Sequence, residues 1–313
     1  MDLSFSPEEE RFRERVRNFL GDNLPPGWGT AEQRLPAEMS QVDFLRDWQR
    51  RLYEGGLLGM SWPKEYGGQS ASRTEMAIFN EEMALHRAPA PLNALGLSMA
   101  GPTIITHGTD EQKRRFLRKI LSCEEIWCQG FSEPDAGSDV ASLRTRAALS
   151  GDEFVVNGQK VWTSLAHVAD WCMLLVRTDP DAPRHRGLSY LLVDMHGPGV
   201  TVRPLRQITG ESEFNEVFFE DVRVPRANLL GGLNDGWRVA MTTLTNERGT
   251  AALASVARVR MAFDESVELA RTIRRGGAPA TADPLVRQRL AQFYVELEMM
   301  KYTSYRVFSK ILS

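Results

Sequence analysis

With 313 residues, 25% of them charged and 42% hydrophobic, and a net charge of −3, the chain has the profile of a globular protein too long for one small core. Its mild acidity and the scatter of its Lys and Arg residues exclude the basic stripe of a nucleic-acid binder. Three cysteines without a Cys-x-x-Cys pair and five scattered histidines argue against a disulfide framework and a metal site, and no apolar stretch is long enough to span a membrane.

Ser6-Pro7-Glu8-Glu9 reads as a capping box with proline at the first helical position, and Phe12, Val16, Phe19 and Leu20 follow at helical spacing. This polar start lacks the apolar core of a signal peptide, so a cytoplasmic protein is expected. After a Pro/Gly break at 24–29, Phe44, Leu45, Trp48 and Leu52 predict a second helix that stops at Gly55-Gly56. The stretch 57–68 is too rich in turn residues for a regular helix. Helical spacing resumes over 72–86 and 92–106, and Thr109-Asp110-Glu111-Gln112 caps another helix carrying Phe116, Leu117 and Ile120.

The period then changes from helical to alternating. Strands are predicted at 125–131, 143–149, 153–157, 171–177, 188–194, 199–205 and 214–220, with turns at Ser150-Gly151-Asp152 and Asn157-Gly158. Short strands at this spacing predict a compact antiparallel barrel or sandwich, with 178–187 as an exposed connection. From Asp235 helical spacing returns and persists to the end. The expected fold is therefore α+β and multidomain: a helical part over 1–122, a β part over 123–232 and a second helical part over 233–313.

One loop stands out as a place to hold a ligand. In Gln129-Gly130-Phe131-Ser132-Glu133-Pro134-Asp135-Ala136-Gly137-Ser138-Asp139-Val140, Pro134 fixes one backbone angle and Gly137 permits positive φ and close approach. Ser132 and Ser138 offer hydroxyls, and backbone N–H groups in such a turn can cradle an anion.

This loop belongs to a set of motifs. Gly56-Leu57-Leu58-Gly59 with Trp62-Pro63 and Tyr66-Gly67-Gly68, Phe131-Ser132-Glu133-Pro134 with Ala136-Gly137-Ser138-Asp139, Asn157-Gly158-Gln159-Lys160-Val161-Trp162-Thr163-Ser164, and Phe219-Glu220-Asp221-Val222-Arg223-Val224-Pro225 occur in that order. Through them the chain resembles the acyl-CoA dehydrogenase family from Phe5 to its last residue. The resemblance implies a helical N-terminal domain, a central antiparallel β-barrel and a C-terminal helical bundle that supplies most oligomer contacts. It also implies FAD as cofactor, an acyl-CoA substrate, and an electron-transferring flavoprotein as acceptor. The flavin carries the redox chemistry, and the protein's part is to hold its ring against the substrate. By the same resemblance Phe131, Ser132 and Gly137 belong to the flavin loop, with the Ser132 hydroxyl at the ring and Ser138 near the phosphates. Trp162 shields the ring, and Ser164 lies near its reactive nitrogen.

For the proton-abstracting base the resemblance implies one of two places. In many relatives it is a Glu in the last part of the C-terminal domain, a region not in this sequence; in others it lies on the first long helix of that domain, just before an Arg, which here is the helix after Asp235. There Ala240, Leu244, Glu247, Ala251 and Ala254 form one stripe, so Glu247 interrupts an apolar face beside Arg248. A carboxylate facing inward has its pKa raised by desolvation, which suits a base; Arg248 is the neighbour that offsets this by pairing. Glu247 is therefore the expected catalytic residue and Arg248 its support, with a structural Glu–Arg pair as the alternative.

Two features depart from the family. The sequence stops in mid-helical pattern at Ser309-Lys310-Ile311-Leu312-Ser313, where most relatives continue for two helices, so the C-terminal bundle is expected to be incomplete in this chain. The family's Arg followed by Phe-Gly, which reaches a partner chain's flavin diphosphate, is replaced by Arg274-Arg275-Gly276-Gly277. Two expectations follow: a dehydrogenase acting as a homo- or hetero-oligomer (dimer or tetramer), or a shortened, poorly active or inactive subunit paired with a full-length relative. Straight, branched and steroid side-chain thioesters all remain open as substrates.

Overall fold

The computed structural model describes the backbone of residues 5–29, 40–248 and 251–312, with side chains throughout except at 247–248, 251–255, 305 and 307–312. In chain order the helices α1 (Pro7–Asn23), α2 (Gln41–Glu54), α3 (Arg73–Leu85), α4 (Gly101–His107) and α5 (Asp110–Ser122) lead into strands β1 (Trp127–Gly130), β2 (Arg146–Ser150), β3 (Glu153–Ser164), β4 (Trp171–Arg177), β5 (Leu188–Asp194), β6 (Val200–Pro204) and β7 (Phe214–Pro225). Then follow α6 (Gly236–Arg248), α7 (Ala251–Thr272), the two-residue strands β8 (Arg274–Arg275) and β9 (Ala278–Pro279), and α8 (Pro284–Leu312). Helices, curled sheet and helices thus succeed one another as expected. Among the described residues no helix is long and apolar enough to cross a membrane.

The expected capping boxes form, because both partners lie within one turn. Ser6 and Glu9, and Thr109 and Gln112, exchange side-chain-to-backbone bonds at the starts of α1 and α5, and Ser72 and Glu75 do the same at α3. The span predicted as one helix over 92–106 instead begins as a π turn at Gly96–Ala100 before α4. A Cβ on Gly101, at the join, would overlap the Trp62 indole, so glycine there lets the backbone rest on that ring.

The chain divides into two compact units assembled from segments distant in sequence. One contains α1, α3, α7 and α8. Its buried positions include Val16 and Leu20 of α1 and Ile78, Phe79 and Met83 of α3. There the fully buried Glu82 accepts from Arg13 Nη1 at 2.7 Å and Arg17 Nε at 2.9 Å, which pairs an otherwise costly charge.

The other unit contains α2, α4, α5, the sheet and α6. Its seven strands run in the order β1-β4-β2-β3-β7-β6, with β5 paired to β4. The long antiparallel pair β3–β7 is the spine, registered from Glu153 opposite Pro225 to Ser164 opposite Phe214. Two pairings correct the all-antiparallel expectation: β1 runs parallel to β4, with Trp127 opposite Trp171, and β2 meets β4 in parallel at Arg146 opposite Arg177. Parallel neighbours need a long crossover, and here residues 131–170 provide it, carrying the site loop, β2 and β3. The two indoles stack at 5.9 Å, and Phe116 of α5 meets both edge-on at 5.2 and 5.0 Å, which seats α5 on the sheet.

A second correction concerns Asn157-Gly158, predicted as a turn. β3 runs straight through it with a bulge between Val156 and Gly158. A Cβ on Gly158 would sit 2.7 Å from Thr145 Cα, so only glycine admits this approach. The Asn157 amide replaces the interrupted ladder: its Nδ2 donates to Asp221 Oδ1 and its Oδ1 accepts from Asp221 N, each at 3.0 Å.

Candidate active site

β1 ends where the motif loop begins. Pro134 and Asp135 form a tight reversal closed by Glu133 N donating to Ala136 O at 2.9 Å and Ala136 N to Glu133 O at 3.1 Å. Ser132 O accepts from Val161 N at 2.9 Å, which ties the loop to β3 one residue before Trp162. Beneath this tie lies a residue pair given no role by the sequence reading. Lys160, fully buried, donates from Nζ to Glu133 Oε1 at 2.8 Å and to Phe131 O at 3.0 Å. Glu133 also accepts from Arg144 N at 2.7 Å and Thr145 N at 2.9 Å. Burial alone would raise the Glu133 pKa, but the Lys160 charge and these donated bonds outweigh it and hold the carboxyl below its ordinary value. Burial pulls Lys160 the other way, and Glu133 only partly offsets that.

Trp162 sits in a second bulge of β3, between Lys160 and Thr163. It has φ of 60° and is 61% exposed, while Val161 and Thr163 on either side are buried. A left-handed conformation is costly for a residue with a bulky side chain. Its ring contacts Phe214 edge-on at 6.0 Å, and Phe214 is the cross-strand neighbour of Ser164. Below it Asn215 Nδ2 donates to Thr163 O at 2.9 Å. Replacing Trp162 by Gly is expected to leave the urea midpoint close to wild type. Relief of about 1–2 kcal/mol of left-handed strain offsets an edge contact of about 0.5–1.5 kcal/mol. Folding therefore does not account for an exposed indole in this conformation; something that lies against it would.

The third component is α6. The Phe131 ring meets the buried Tyr190 ring of β5 edge-on at 5.8 Å, and Tyr190 OH contacts Thr243 Oγ1 of α6 at 3.2 Å. Thr243 in turn contacts Thr103 Oγ1 of α4 at 3.0 Å. Glu247 and Arg248 occupy the last turn of α6, but their side chains lie outside the described residues.

The sequence-derived residues therefore fall into three groups. Phe131, Ser132, Trp162 and Ser164 are carried by neighbouring backbone segments, with Ser132 and Ser164 half-buried. Gly137 and Ser138 lie farther along an exposed loop. Gly137 does not adopt the positive φ expected of it, and a methyl there would meet no protein atom within 4 Å, so its backbone faces open space. Next to Ser138, Asp139 Oδ2 accepts from Arg184 Nη1 at 2.9 Å. Arg274 donates within its own hairpin to Gly277 O at 2.9 Å, and Arg275 donates to Asp283 Oδ2, just before α8, at 3.1 Å.

Three family models match the chain in succession: acyl-CoA dehydrogenase N-terminal domain over residues 6–124, middle domain over 128–222 and C-terminal domain over 234–313. Acyl-CoA dehydrogenase IpdE1 of Mycobacterium tuberculosis is 46% identical over 295 residues, covering 93% of this chain and 75% of that protein. Among solved structures, the ChsE4-ChsE5 complex from Mycobacterium tuberculosis matches with a TM-score of 0.86 and 35% identity over 99% of this chain and 78% of that one. The Tcur3481-Tcur3483 steroid ACAD matches with a TM-score of 0.83 and 34% identity over 98% of this chain and 77% of that one.

Proposed function

The chain belongs to the acyl-CoA dehydrogenase family of FAD-dependent oxidoreductases, and from that premise we propose that it carries out α,β-dehydrogenation of an acyl-CoA thioester to the trans-2-enoyl-CoA. The observation that carries this reading is Trp162, an indole held in the left-handed region and 61% exposed beside Ser132 and Ser164. A flat heteroaromatic ring fits such a place: it covers the indole, and the two hydroxyls meet its ring heteroatoms. Phe131 supports the loop from beneath, and the exposed backbone and hydroxyl at Gly137 and Ser138 would receive the diphosphate. FAD bound there would supply the two-electron acceptor for the β hydrogen.

On the opposite wall, Glu247 is the proposed base for the α proton, with Arg248 beside it. The work of this chain's own residues is to present a carboxylate at Cα of the thioester and to keep the ring-facing wall rigid. An electron-transferring flavoprotein is the proposed acceptor. We divide the chain functionally at 122 and 232, with the middle part holding the ring and the last part supplying the base.

A steroid side-chain thioester is the proposed substrate class, since a 34% identical structure is described as a steroid ACAD. A second reading has its own support. Both of these structural relatives are two-component assemblies. In that reading the chain works only beside a full-length relative, or completes that relative's site.

Purified with whatever chain accompanies it, the protein is expected to be yellow, and a steroid side-chain CoA thioester added without oxygen is expected to bleach it faster than palmitoyl-CoA. A colourless protein, or a yellow one that no acyl-CoA bleaches, overturns the enzymatic reading. Equal bleaching by both thioesters overturns the substrate class alone.

A further inference from the structure

Between the two proposed walls lies a line of buried hydroxyls with no part in the chemistry above. Tyr190 and Thr243 are fully buried, as is Thr103. Thr103 Oγ1 donates to Met99 O at 2.7 Å, in the π turn that precedes α4. The remaining contacts, Thr243 to Thr103 at 3.0 Å and Tyr190 to Thr243 at 3.2 Å, join the three hydroxyls in a row: Tyr190 donates to Thr243, Thr103 donates to the Met99 carbonyl, and the one Thr243 proton is shared between Thr103 Oγ1 and a carbonyl of its own helix. That carbonyl is Val239 O, which accepts from Thr243 Oγ1 at 3.1 Å. Burial pushes the Tyr190 phenol well above its ordinary pKa, and the Thr243 bond offsets this only in part, so Tyr190 stays a donor throughout the working pH range.

The placement of Tyr190 matters more than its burial. Its ring meets Phe131, the residue before Ser132, at 5.8 Å, while its hydroxyl meets α6 at Thr243. Glu247 is four residues farther along α6, about 6 Å down the axis at 1.5 Å per residue. One side chain thus touches both the loop that carries Ser132 and the helix that carries Glu247. A neighbouring contact fixes the same helix from the same side: His107 Nε2 lies 2.8 Å from Thr242 Oγ1, and His107 is one turn from Thr103 on α4. An apolar filling of equal volume would satisfy packing as well, since a neutral hydroxyl pair adds only about 0.5–1.5 kcal/mol. What the hydroxyls add is direction, because a hydrogen bond fixes axial position where apolar contact tolerates sliding.

We propose that Tyr190, Thr243 and Thr103 are positioning residues that set the height of α6 against the Phe131–Ser132 loop, and so the spacing between proton acceptor and electron acceptor. The inference rests on the dehydrogenase reading and goes beyond it, since neither the ring-facing residues nor the base requires this chain of hydroxyls.

The test uses Thr243→Val, which keeps shape and loses the hydroxyl, Thr243→Ser, which keeps the hydroxyl, and Tyr190→Phe, each in the assembled holoprotein. The rate of anaerobic bleaching by acyl-CoA is expected to fall roughly 10- to 100-fold in Thr243→Val and Tyr190→Phe, as displacements of the order of 1 Å do. KM and flavin content stay near wild type, and the kinetic isotope effect with α-deuterated substrate rises. Thr243→Ser is expected to return to within a few-fold of wild type. Unchanged rates in Tyr190→Phe with an active wild type overturn the positioning role and leave the dehydrogenase reading intact. A loss of melting temperature with kcat and isotope effect unaltered also overturns it, as that is the signature of packing alone. A wild type that binds flavin and is not bleached overturns both.

Discussion

Replacing Glu247 by Gln is expected to lower the rate of flavin bleaching by about 10²–10⁴-fold while the protein stays yellow and assembled. The α proton of a thioester is weakly acidic, so its removal needs a base already at hydrogen-bond reach. The helix that would bring one there is fixed at its middle, by Thr242 to His107 and by Thr243 to Thr103 and Tyr190. Gln keeps the size and polarity of the side chain and removes only its ability to take a proton. Glu247→Asp, which keeps the carboxylate and shortens its reach, is expected to fall between Gln and wild type. The competing account is a structural pair with Arg248, in which Gln would weaken assembly and leave bleaching per flavin unchanged. Measuring flavin content, native mass and bleaching rate on the same preparations separates the two, and full turnover in Glu247→Gln would sink the base assignment.

The parts of the molecule that were legible in the sequence are those whose cause is local. The capping boxes at Ser6 and Thr109 each need only two residues three apart, and both form. β4 and β5 match their predicted bounds, since a run of apolar residues between turn signals leaves little choice of register. What the sequence concealed depends on partners far along the chain. Asn157-Gly158 looks like a hairpin turn until Asp221, 64 residues away, takes over its ladder bonds. Lys160 has no inward position to be recognised by once Asn157-Gly158 is taken as the end of the strand, and its partner Glu133 is 27 residues away. The hydroxyls of Thr103 and Thr243 are 140 residues apart and indistinguishable, in a helical pattern, from any other threonine. The Trp162 motif pointed to a ring-facing residue only through resemblance; its φ and exposure are properties that no spacing encodes.

The second large effect is expected at Lys160. Lys160→Met removes one partner of a buried ion pair and leaves Glu133, 8% exposed, with an uncompensated charge, a loss of about 3–5 kcal/mol from a total stability that is commonly about 5–15 kcal/mol. The usual remedy, making both partners apolar, does not apply here. Glu133 also accepts the Arg144 and Thr145 amides, and an apolar residue would leave those N–H groups buried without acceptors. A combined Lys160→Met/Glu133→Gln protein is expected to regain part of the loss, because the Gln carbonyl still accepts from one of the two amides and carries no charge. Flavin should leave before the fold does, since the same pair fixes Phe131 O and, through Val161 and Ser132, the join between the two ring-facing segments. The pH dependence has a definite sign. Glu133 has a folded pKa below its unfolded one, so its contribution is complete above the unfolded value and is lost as pH falls through the depressed value. Wild type should therefore hold flavin at neutral pH and release it on acidification below about pH 4, near and beneath the ordinary Glu value, whereas the combined variant should lack that step. Urea titrations with flavin fluorescence as a second probe measure both quantities. A single Lys160→Met variant that loses less than about 1 kcal/mol and keeps its flavin would show that the loop is held by its backbone bonds without the ion pair.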